Sequence, residues 1–378
     1  MFYLKNQHHS GARRGELTTA HGKIQTPFFM PVATKGAVKT ISPLELAVLQ
    51  KAVDPHTCPI VLSNTYHLYL KPGLEILEFF KGLHNFMNWP HALLTDSGGF
   101  QIFSLNKLRK LSADGVEFSS HLDGSKHFLT PEKSLEIQTI IGSDIMMAFD
   151  YFPAYPASLA EATDSVNLTT AWAKRCRNFI SATPQKNGQN SQLFGIVQGS
   201  TYPELRKTSA QEIVDLDFDG YAVGGLAVGE TPEEMYAVLE STVPLLPADK
   251  PHYLMGVGMP EQILSSVKRG IDMFDCVLPS RNARHGTLFV HQDQDYLVAK
   301  DLSTVHYQKI NLRAEKFGKS TTALDPHCHC PTCSDHYTQG YLRHLYTVNE
   351  PLVAHLATVH NLYFYFQLMK EIRDIIST

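Results

Sequence analysis

The chain has 378 residues and a formal net charge of −4 at neutral pH. Charged residues make up 19% of it and hydrophobic residues 43%, which excludes a disordered chain and is typical of a globular protein. The negative balance argues against broad, non-specific binding to nucleic acid, because that activity usually requires a basic domain. The charge balance does not exclude a local basic rim, for which the clustered residues are Arg13 and Arg14, Lys107 with Arg109 and Lys110, Lys268 and Arg269, and Arg281 and Arg284.

The first residues, Met-Phe-Tyr-Leu-Lys-Asn-Gln-His-His, contain no apolar core of the length that a signal peptide needs, and no segment approaches the length of a membrane span. We therefore expect a cytoplasmic protein with no membrane partner. Three of the six cysteines are isolated in apolar segments and are expected to be buried thiols: Cys58, Cys176 and Cys276. The other three are clustered: Cys328, Cys330 and Cys333. Without an export signal, clustered cysteines favour a metal site over disulfides.

In chain order, residues 10–27 predict an N-terminal hairpin, and eight short apolar runs follow with helical patterns between several of them. A second hairpin, turned at Asp123-Gly124, is predicted within residues 115–129. The runs cover residues 28–33, 60–64, 92–96, 144–150, 193–199, 220–225, 252–258 and 273–279. This alternation indicates parallel strands with crossover helices, and eight units favour a closed barrel over an open sheet.

Helix-start signals support this count. Capping boxes at Ser42, Ser158 and Thr231 predict three helices, and Pro203 and Pro260 begin two more. The helix after Ser158 is predicted over about 159–180, and the tail ends in a helix predicted over about 355–376. The sequence thus predicts an α/β protein: a (β/α)8 TIM barrel over residues 1–300 with N-terminal and inserted hairpins, and a C-terminal subdomain over residues 301–378 that holds the cysteine cluster.

Polar and glycine-rich segments stand at the ends of most of the predicted strands. Active sites of such barrels lie at the C-terminal ends of the strands. Any one of these residues has an ordinary structural explanation, since a strand-end Asp often caps a helix and a Gly often makes a turn. Their joint placement favours one shared site, formed by Asp96 with Ser97, Gly98, Gly99, Phe100 and Gln101, by Asp150, by Gln198, by Gly224, Gly225 and Leu226, by Gly256 to Gly258, and by Asp275.

These residue types suit glycosidic chemistry on a nucleotide. Of two carboxylates, one can attack an anomeric carbon while the other acts as acid and base. A third carboxylate and a glutamine can hydrogen-bond a heterocycle, and Phe100 can stack on it. Arg281 and Arg284 follow Asp275 closely and carry forked donors that suit phosphate. The sequence therefore predicts cleavage of an N-glycosidic bond in a nucleotide or nucleic acid.

Cys328, Cys330 and Cys333 form a Cys-x-Cys-x2-Cys pattern that suits tetrahedral zinc. A fourth ligand would close the site and make it structural, so the C-terminal subdomain is predicted to bind one zinc ion. Spacing alone leaves the fourth ligand open among four histidines, His336, His344, His355 and His360.

Together these segments resemble the bacterial type of queuine tRNA-ribosyltransferase, the tRNA-guanine transglycosylases. The resemblance rests on six segments in order along the chain: 96–101, 195–199, 224–230, 253–258, 274–284, and the cysteine motif with Val359-His360-Asn361. It implies a zinc-containing TIM barrel that exchanges guanine at anticodon wobble position 34 for a 7-deazaguanine base, as a homodimer. The zinc ligands would be Cys328, Cys330, Cys333 and His360.

The resemblance also implies roles for individual residues. Asp275 would be the nucleophile on ribose and Asp96 the general acid and base. The base would be bound by Ser97, Gly98, Gly99, Phe100, Asp150, Gln198, Gly225, Leu226 and Met255. The tRNA would be bound by Gly256, Val257, Gly258, Met259, Pro260, Glu261, Gln262, Ser280, Arg281, Asn282, Ala283 and Arg284.

The chain departs from the family pattern just after Asp150. The family usually continues Glu-Cys-x-Pro, whereas here Tyr151-Phe152-Pro153 follows, and the bulkier Phe152 is expected at the pocket wall. His285 also replaces a common Asn. Val228 is the bacterial-type residue, which favours preQ1 as the incoming base and leaves queuine as the alternative.

Two other functions are weighed against this one. An accessory tRNA-binding subunit of the same fold would have lost the carboxylates, whereas this chain keeps Asp96 and Asp275. A barrel hydrolase of small glycosides would use both acids but would have no use for Arg281 and Arg284.

Overall fold

The computed structural model describes residues 1–105, 109–183, 191–292 and 294–377. Its strands are β1 (Phe2–Gln7), β2 (Arg13–Thr19), β3 (Gly22–Thr26), β4 (Phe28–Pro31), β5 (Ile60–Ser63), β6 (Ala92–Thr95), β7 (Arg109–Ser112), β8 (Gly115–Ser119), β9 (Lys126–Leu129), β10 (Ile145–Met147), β11 (Gln192–Val197), β12 (Gly220–Val223), β13 (His252–Leu254), β14 (Met273–Cys276), β15 (Thr287–His291) and β16 (Tyr307–Asn311).

The helices lie between and after these strands. They are α1 (Pro43–Val53), α2 (Thr65–Leu70), α3 (Leu74–Phe79), α4 (Leu83–Met87), α5 (Gly99–Leu105), α6 (Pro131–Ile141), α7 (Leu159–Ala182), α8 (Pro203–Val214), α9 (Pro232–Thr242), α10 (Pro260–Val267), α11 (Leu278–Arg284), α12 (Pro331–Ser334), α13 (Gln339–Thr347) and α14 (Leu352–Ile376). No helix in the described part of the chain is long and apolar enough to cross a membrane.

Eight parallel strands form the central barrel, in the order β4, β14, β13, β12, β11, β10, β6, β5. A parallel bridge between Val32 and Leu62 joins the two ends of this sheet, and the amide of Ala33 donates to the carbonyl of Leu62 at 2.6 Å. Each of the eight predicted apolar runs coincides with one barrel strand, and only β11 begins one residue before its run. The predicted (β/α)8 barrel is therefore confirmed.

The strand side chains alternate between two cores, as a period of two requires. Phe28, Met30 and Leu62 point into the barrel with residues of the other strands, whereas Phe29 and Val61 pack against the helices outside. Leu17 and Ile24 of the β2–β3 hairpin join the inner core. The N-terminal sheet, in the order β1, β2, β3, therefore covers the N-terminal end of the barrel.

The local sequence signals correspond to observed elements. Ser42, Ser158 and Thr231 each form a complete capping box, and Pro203 and Pro260 each open a helix. The predicted hairpins are β2–β3 and β8–β9, and each lies in a sheet with one further strand, β1 or β7. Helix α7 and the tail helix α14 match their predicted spans to within a few residues.

The C-terminal segment returns to the barrel. Helix α14 packs against β4, α1, α10 and α11, and so fills the position of the barrel helix between β14 and β4. Strands β15 and β16 form an antiparallel pair beside it, and α12 and α13 pack on its surface. The division into residues 1–300 and 301–378 stays a prediction.

Candidate active site

Three buried or half-buried carboxylates gather at the C-terminal ends of the barrel strands. Asp96 directly follows β6, Asp150 lies three residues beyond β10, and Asp275 lies within β14. They are close enough to interact electrically, since the charge of Asp275 raises the pKa of Asp96 and the charge of Asp96 raises the pKa of Asp150. The structure thus brings the three acids predicted from the sequence to one mouth.

Asp96 is held by neutral donors from the neighbouring strand end and from α5. Its Oδ1 accepts a hydrogen bond from the amide of Thr65 at 2.8 Å, and its Oδ2 accepts from the side chain of Asn64 and from Nε2 of Gln101 at 2.8 Å. Burial raises the pKa of this carboxyl group, and the hydrogen bonds only partly oppose that effect. A raised pKa favours the protonated form of this carboxyl group.

Asp275 is anchored through one oxygen only. Its Oδ1 accepts from the hydroxyl of Tyr253 at 2.5 Å and from the amide of Gly256 at 2.9 Å. Desolvation raises the pKa of Asp275. Since both donors bind Oδ1, Oδ2 is the oxygen left to face a substrate.

Asp150 and Gln198 form a second polar group in the mouth. Oδ1 of Asp150 accepts from the hydroxyl of Ser97 at 3.0 Å, and Oδ2 accepts from Nε2 of Gln198 at 2.8 Å. Burial raises the pKa of Asp150 to about 6. A buried carboxylate beside an amide is suited to bind the donor edge of a heterocycle.

Glycines allow the backbone to approach these groups closely. A Cβ on Gly99 would lie 2.9 Å from the carbonyl oxygen of Asp150, and a Cβ on Gly225 would lie 2.6 Å from Oε1 of Gln198. Gly225 also has a φ of +66°, which favours glycine. The following turn is held by Glu230, whose carboxylate accepts from the amides of Ala227 and Val228. The buried Leu226 lies within this turn.

Phe100 is 51% exposed although it is a large apolar residue, and it lies on the first turn of α5 beside Ser97, Gly98 and Gly99. Met255, directly after β13, is half-buried and packs against the inner core. Both side chains are therefore placed at the mouth, where a planar base could stack.

Several residues that support this mouth were missed by the sequence reasoning. They are Asn64, Thr65, Tyr253, Glu230 and Arg206. Arg206 is fully buried and donates to the carbonyls of Ser200, Val197 and Gly224 at 2.8–2.9 Å, which fixes the ends of β11 and β12. Burial lowers the pKa of its guanidinium to about 9. The sequence does contain a signal for the burial of Arg206, because this residue shares the buried face of α8 with Ser209, Ala210 and Ile213 at helical spacing.

The predicted tRNA-binding residues occupy two segments next to Asp275. Residues 280–284 form most of α11, in which Arg281 is exposed, Asn282 and Arg284 are half-buried, and Ser280 and Ala283 are buried. Residues 256–262 run from β13 into α10. There Gly256 is exposed, Met259 and Gln262 are half-buried, Glu261 accepts from the hydroxyl of Tyr307 at 2.6 Å, and Val257, Gly258 and Pro260 are buried.

The clustered basic residues do not all gather into one rim. Arg13 is buried at the N-terminal end of the barrel, where it pairs with Asp272 at 3.3 Å, because β2 forms part of the sheet that covers this end. Arg269 also lies at that end and pairs with Glu240 at 2.7 Å. Lys107 lies outside the described residues. Arg281 and Arg284 follow Asp275 of β14 and lie on α11 at the mouth.

The cysteine cluster forms a compact buried group that fits a metal site. The ligand atoms of Cys328, Cys330, Cys333 and His360 all lie within 4.8 Å of one another. Nδ1 of His360 is 3.4 Å from Sγ of Cys333, and Nε2 is 2.7 Å from the carbonyl oxygen of Phe289. Because a carbonyl can only accept, Nε2 carries the proton and Nδ1 is free to bind a metal. Of the four candidate histidines, His360 is thus the one that joins the cysteines.

Comparison with known proteins agrees with this arrangement. The sequence model of the family described as "Queuine tRNA-ribosyltransferase" matches residues 8–378. Proteins of that name are similar throughout: the one from Thermoanaerobacter pseudethanolicus is 49% identical over 373 residues (99% of this chain and 92% of the relative), and the one from Bacillus subtilis is 48% identical over 375 residues (99% and 91%). The protein from Actinobacillus succinogenes is 51% identical over 369 residues, covering 97% of this chain and 90% of the relative. The chain belongs to the queuine tRNA-ribosyltransferase family and is a glycosyltransferase.

Proposed function

We propose that this protein is a tRNA-guanine transglycosylase that replaces guanine at wobble position 34 of a tRNA anticodon with a 7-deazaguanine base. The observation that carries the proposal is the mouth itself, where three carboxylates with raised pKa values have neutral hydrogen-bond donors, and no cation, as their partners among the described residues. Such carboxyl groups can attack, exchange protons and bind a base without competition from a protein cation.

In this proposal the reaction proceeds through a covalent intermediate. Oδ2 of Asp275 attacks C1′ of the ribose and forms a C–O bond while the bond from C1′ to the base nitrogen breaks. Asp96, with its raised pKa, donates a proton to the leaving guanine. The incoming base then returns a proton to Asp96 as its nitrogen attacks C1′ and expels the carboxylate of Asp275. Each step is balanced within the two carboxyl groups and the two bases.

Asp150 and Gln198 would bind the Watson–Crick edge of the base, with Gly225 and Leu226 offering backbone groups and Phe100 and Met255 covering its faces. Val228 lies in the turn held by Glu230 and would limit the space beyond the base. We therefore favour preQ1 as the incoming base, with the bulkier queuine as the alternative. A competition between the two bases for one tRNA preparation, followed by analysis of the incorporated nucleoside, decides between them.

The partner would be a tRNA with guanine at position 34, bound in part by Arg281 and Arg284. A second copy of the chain is also proposed, because Phe79, Phe80 and Phe86 leave a contiguous aromatic surface that is 37–79% exposed on α3 and α4. Exposed apolar patches of this kind mark protein interfaces. A tRNA substrate also makes the cytoplasm the expected location.

Incubation with labelled guanine and unmodified tRNA tests the function and separates it from the two alternatives. A transglycosylase incorporates the label into tRNA. A hydrolase releases base without incorporation, and an accessory binding subunit does neither. Denaturing gels of the protein with tRNA should also show a covalent band that Asp275→Ala lacks, and a band that persists in this variant contradicts the role given to Asp275.

We further propose that Cys328, Cys330, Cys333 and His360 hold one structural zinc ion. Four thiolate and imidazole ligands leave no position for a substrate or water. Cys330→Ser should lose the metal and lower the melting temperature together, because metal-binding free energy contributes to folding here. Cys58→Ser, which alters an isolated thiol, is the matched control. Metal analysis and thermal unfolding measure both effects, and full stability without metal contradicts a structural site.

A further inference from the structure

The loop after Asp150 contacts the aromatic residue proposed to stack on the base. The rings of Phe100 and Phe152 lie nearly parallel, with planes 13° apart and centroids 5.6 Å apart. Phe103 meets Phe152 edge-on at 6.3 Å and meets Tyr151 edge-on at 4.9 Å. The first two turns of α5 and the loop after β10 are thus joined by a cluster of four rings.

The spacing of the two parallel rings determines where a base can bind. A base inserted between them would need about 7 Å, which is twice the usual contact distance of about 3.5 Å between stacked atoms. The observed 5.6 Å is too short for this. A base that stacks on Phe100 must therefore use the face that Phe152 does not cover.

Phe152 itself is firmly held. It is half-buried and packs against the outer core of the barrel, and its edge-on partner Phe103 is only 8% exposed. Phe100, in contrast, is 51% exposed, and Phe152 is its partner in a parallel ring contact. Among the described residues, the ring of Phe152 is thus the aromatic support of the Phe100 side chain.

We propose that Phe152 is a positioning residue: it supports one face of Phe100 and so presents the other face to the base. This deepens the proposed function, on which it rests, because it specifies how the stacking surface is held. Phe152 then acts through Phe100 and does not itself select the substituent of the incoming base.

Phe152→Leu keeps an apolar side chain of similar bulk and removes the ring. Loss of the contact between two aromatic rings changes an equilibrium constant by about 2- to 12-fold. KM for guanine should therefore rise by about that factor. The kcat of exchange and the affinity for tRNA should stay within about twofold of the wild type, and Phe152→Tyr should restore KM. Phe128→Leu, which alters a half-exposed ring on β9, is the matched control and should leave KM unchanged.

The decisive measurement is a double-mutant cycle in labelled guanine exchange. Once Phe100→Leu has removed the stacking ring, adding Phe152→Leu should raise KM for guanine no further. An unchanged KM in Phe152→Leu, or a full additional loss in the double variant, overturns the positioning role. Wild-type incorporation of label is scored in the same experiment, so failure of the proposed function is distinguished from failure of this inference. Melting temperatures are measured for all variants, and a fall in kcat and stability without a change in KM also contradicts the proposal.

Discussion

The buried carboxylates at the two ends of the barrel have different kinds of partner. At the N-terminal end, each buried aspartate has a basic partner: Asp144 lies 2.8 Å from His21, Asp54 lies 2.8 Å from Arg373, and Asp272 lies 3.3 Å from Arg13. At the mouth, Asp96, Asp150 and Asp275 form no ion pair with any described residue. Their partners are amides, hydroxyls and backbone N–H groups: Asn64, Thr65, Gln101, Ser97, Gln198, Tyr253 and Gly256.

This difference separates structural from chemical roles. A basic partner stabilises a carboxylate but also occupies it, whereas a neutral donor orients the group and leaves its charge for a substrate. The direction of the pKa shift does not distinguish structural aspartates from chemical ones. Asp272 is paired with Arg13, yet burial raises its pKa to about 7, because desolvation there exceeds the attraction. The kind of partner is therefore the better guide to function.

The largest expected effect comes from replacing one aspartate at each end with its isostere. Asp275→Asn should lower kcat for guanine exchange by at least about 10^4-fold, since a carboxamide cannot serve as the nucleophile. Its melting temperature should be unchanged or higher, because the hydroxyl of Tyr253 and the amide of Gly256 can donate to the side-chain oxygen of Asn as they do to Oδ1 of Asp275. Asp144→Asn should instead leave kcat of the folded enzyme within about twofold and cost about 2–4 kcal/mol of stability, since it breaks a buried pair.

Exchange assays and chemical denaturation of both variants measure this contrast. If Asp275→Asn loses as much stability as Asp144→Asn, the neutral donors at the mouth are structural and the comparison fails. If Asp144→Asn loses activity without losing stability, the N-terminal end has a role in catalysis that its pairing does not explain.

Much of the fold was predictable because its signals are local. Short apolar runs marked all eight strands, and Ser42, Ser158 and Thr231 marked helix starts through capping bonds made within four residues. The mouth was predictable in outline, since strand ends of a closed barrel must meet and Asp96, Asp150 and Asp275 stand there.

What the sequence did not reveal depends on contacts between distant residues. Nothing near Arg13 indicates that it would be buried against Asp272, because that pairing joins residues 259 positions apart through the sheet that covers the barrel. The choice of His360 among four histidines likewise required the packing of α14 against the cysteines. Asn64 and Tyr253 bind the mouth carboxylates across neighbouring strands, and short-range patterns do not report such contacts.

A smaller effect is expected in the pH dependence of stability, and its sign should differ between Asp150 at the mouth and Asp144 at the N-terminal end. The pKa of Asp150 is about 6 in the folded protein, against about 3.9 for an unfolded chain. Between these values the folded state keeps a proton that the unfolded state has lost, so stability falls as pH rises, by up to about 3 kcal/mol. Asp150→Asn should remove this slope.

Asp144 should show the opposite sign. Hydrogen bonds from His21 and His84 lower its pKa to about 2, so its contribution is present above about pH 4 and is lost as pH falls toward 2. Its partner His21 has a raised pKa, so that part of the stability is present below about pH 6.5 and is lost as pH rises through the raised value. Denaturation of Asp150→Asn and Asp144→Asn between pH 3 and 8 tests both signs, and equal slopes in the two variants break the comparison.

The smallest expected effect is on the salt dependence of tRNA binding when single arginines are replaced. Arg269 is paired with Glu240 at the N-terminal end, whereas the exposed Arg281 forms no ion pair within the described residues. If Arg281 and Arg284 meet phosphates of the anticodon loop, Arg281→Ala and Arg284→Ala should each lower the slope of log K against log salt by about one, because fewer counterions are released. Arg269→Ala has the same change in formal charge and should leave that slope unchanged. Filter binding of tRNA across a salt series measures all three variants.

A slope that changes equally in all three variants reports only the net charge of the protein. Slopes that stay unchanged in Arg281→Ala and Arg284→Ala place the tRNA elsewhere. A change confined to the two arginines at the mouth means that an unpaired arginine, like an unpaired carboxylate, marks the end of the barrel where the substrate binds.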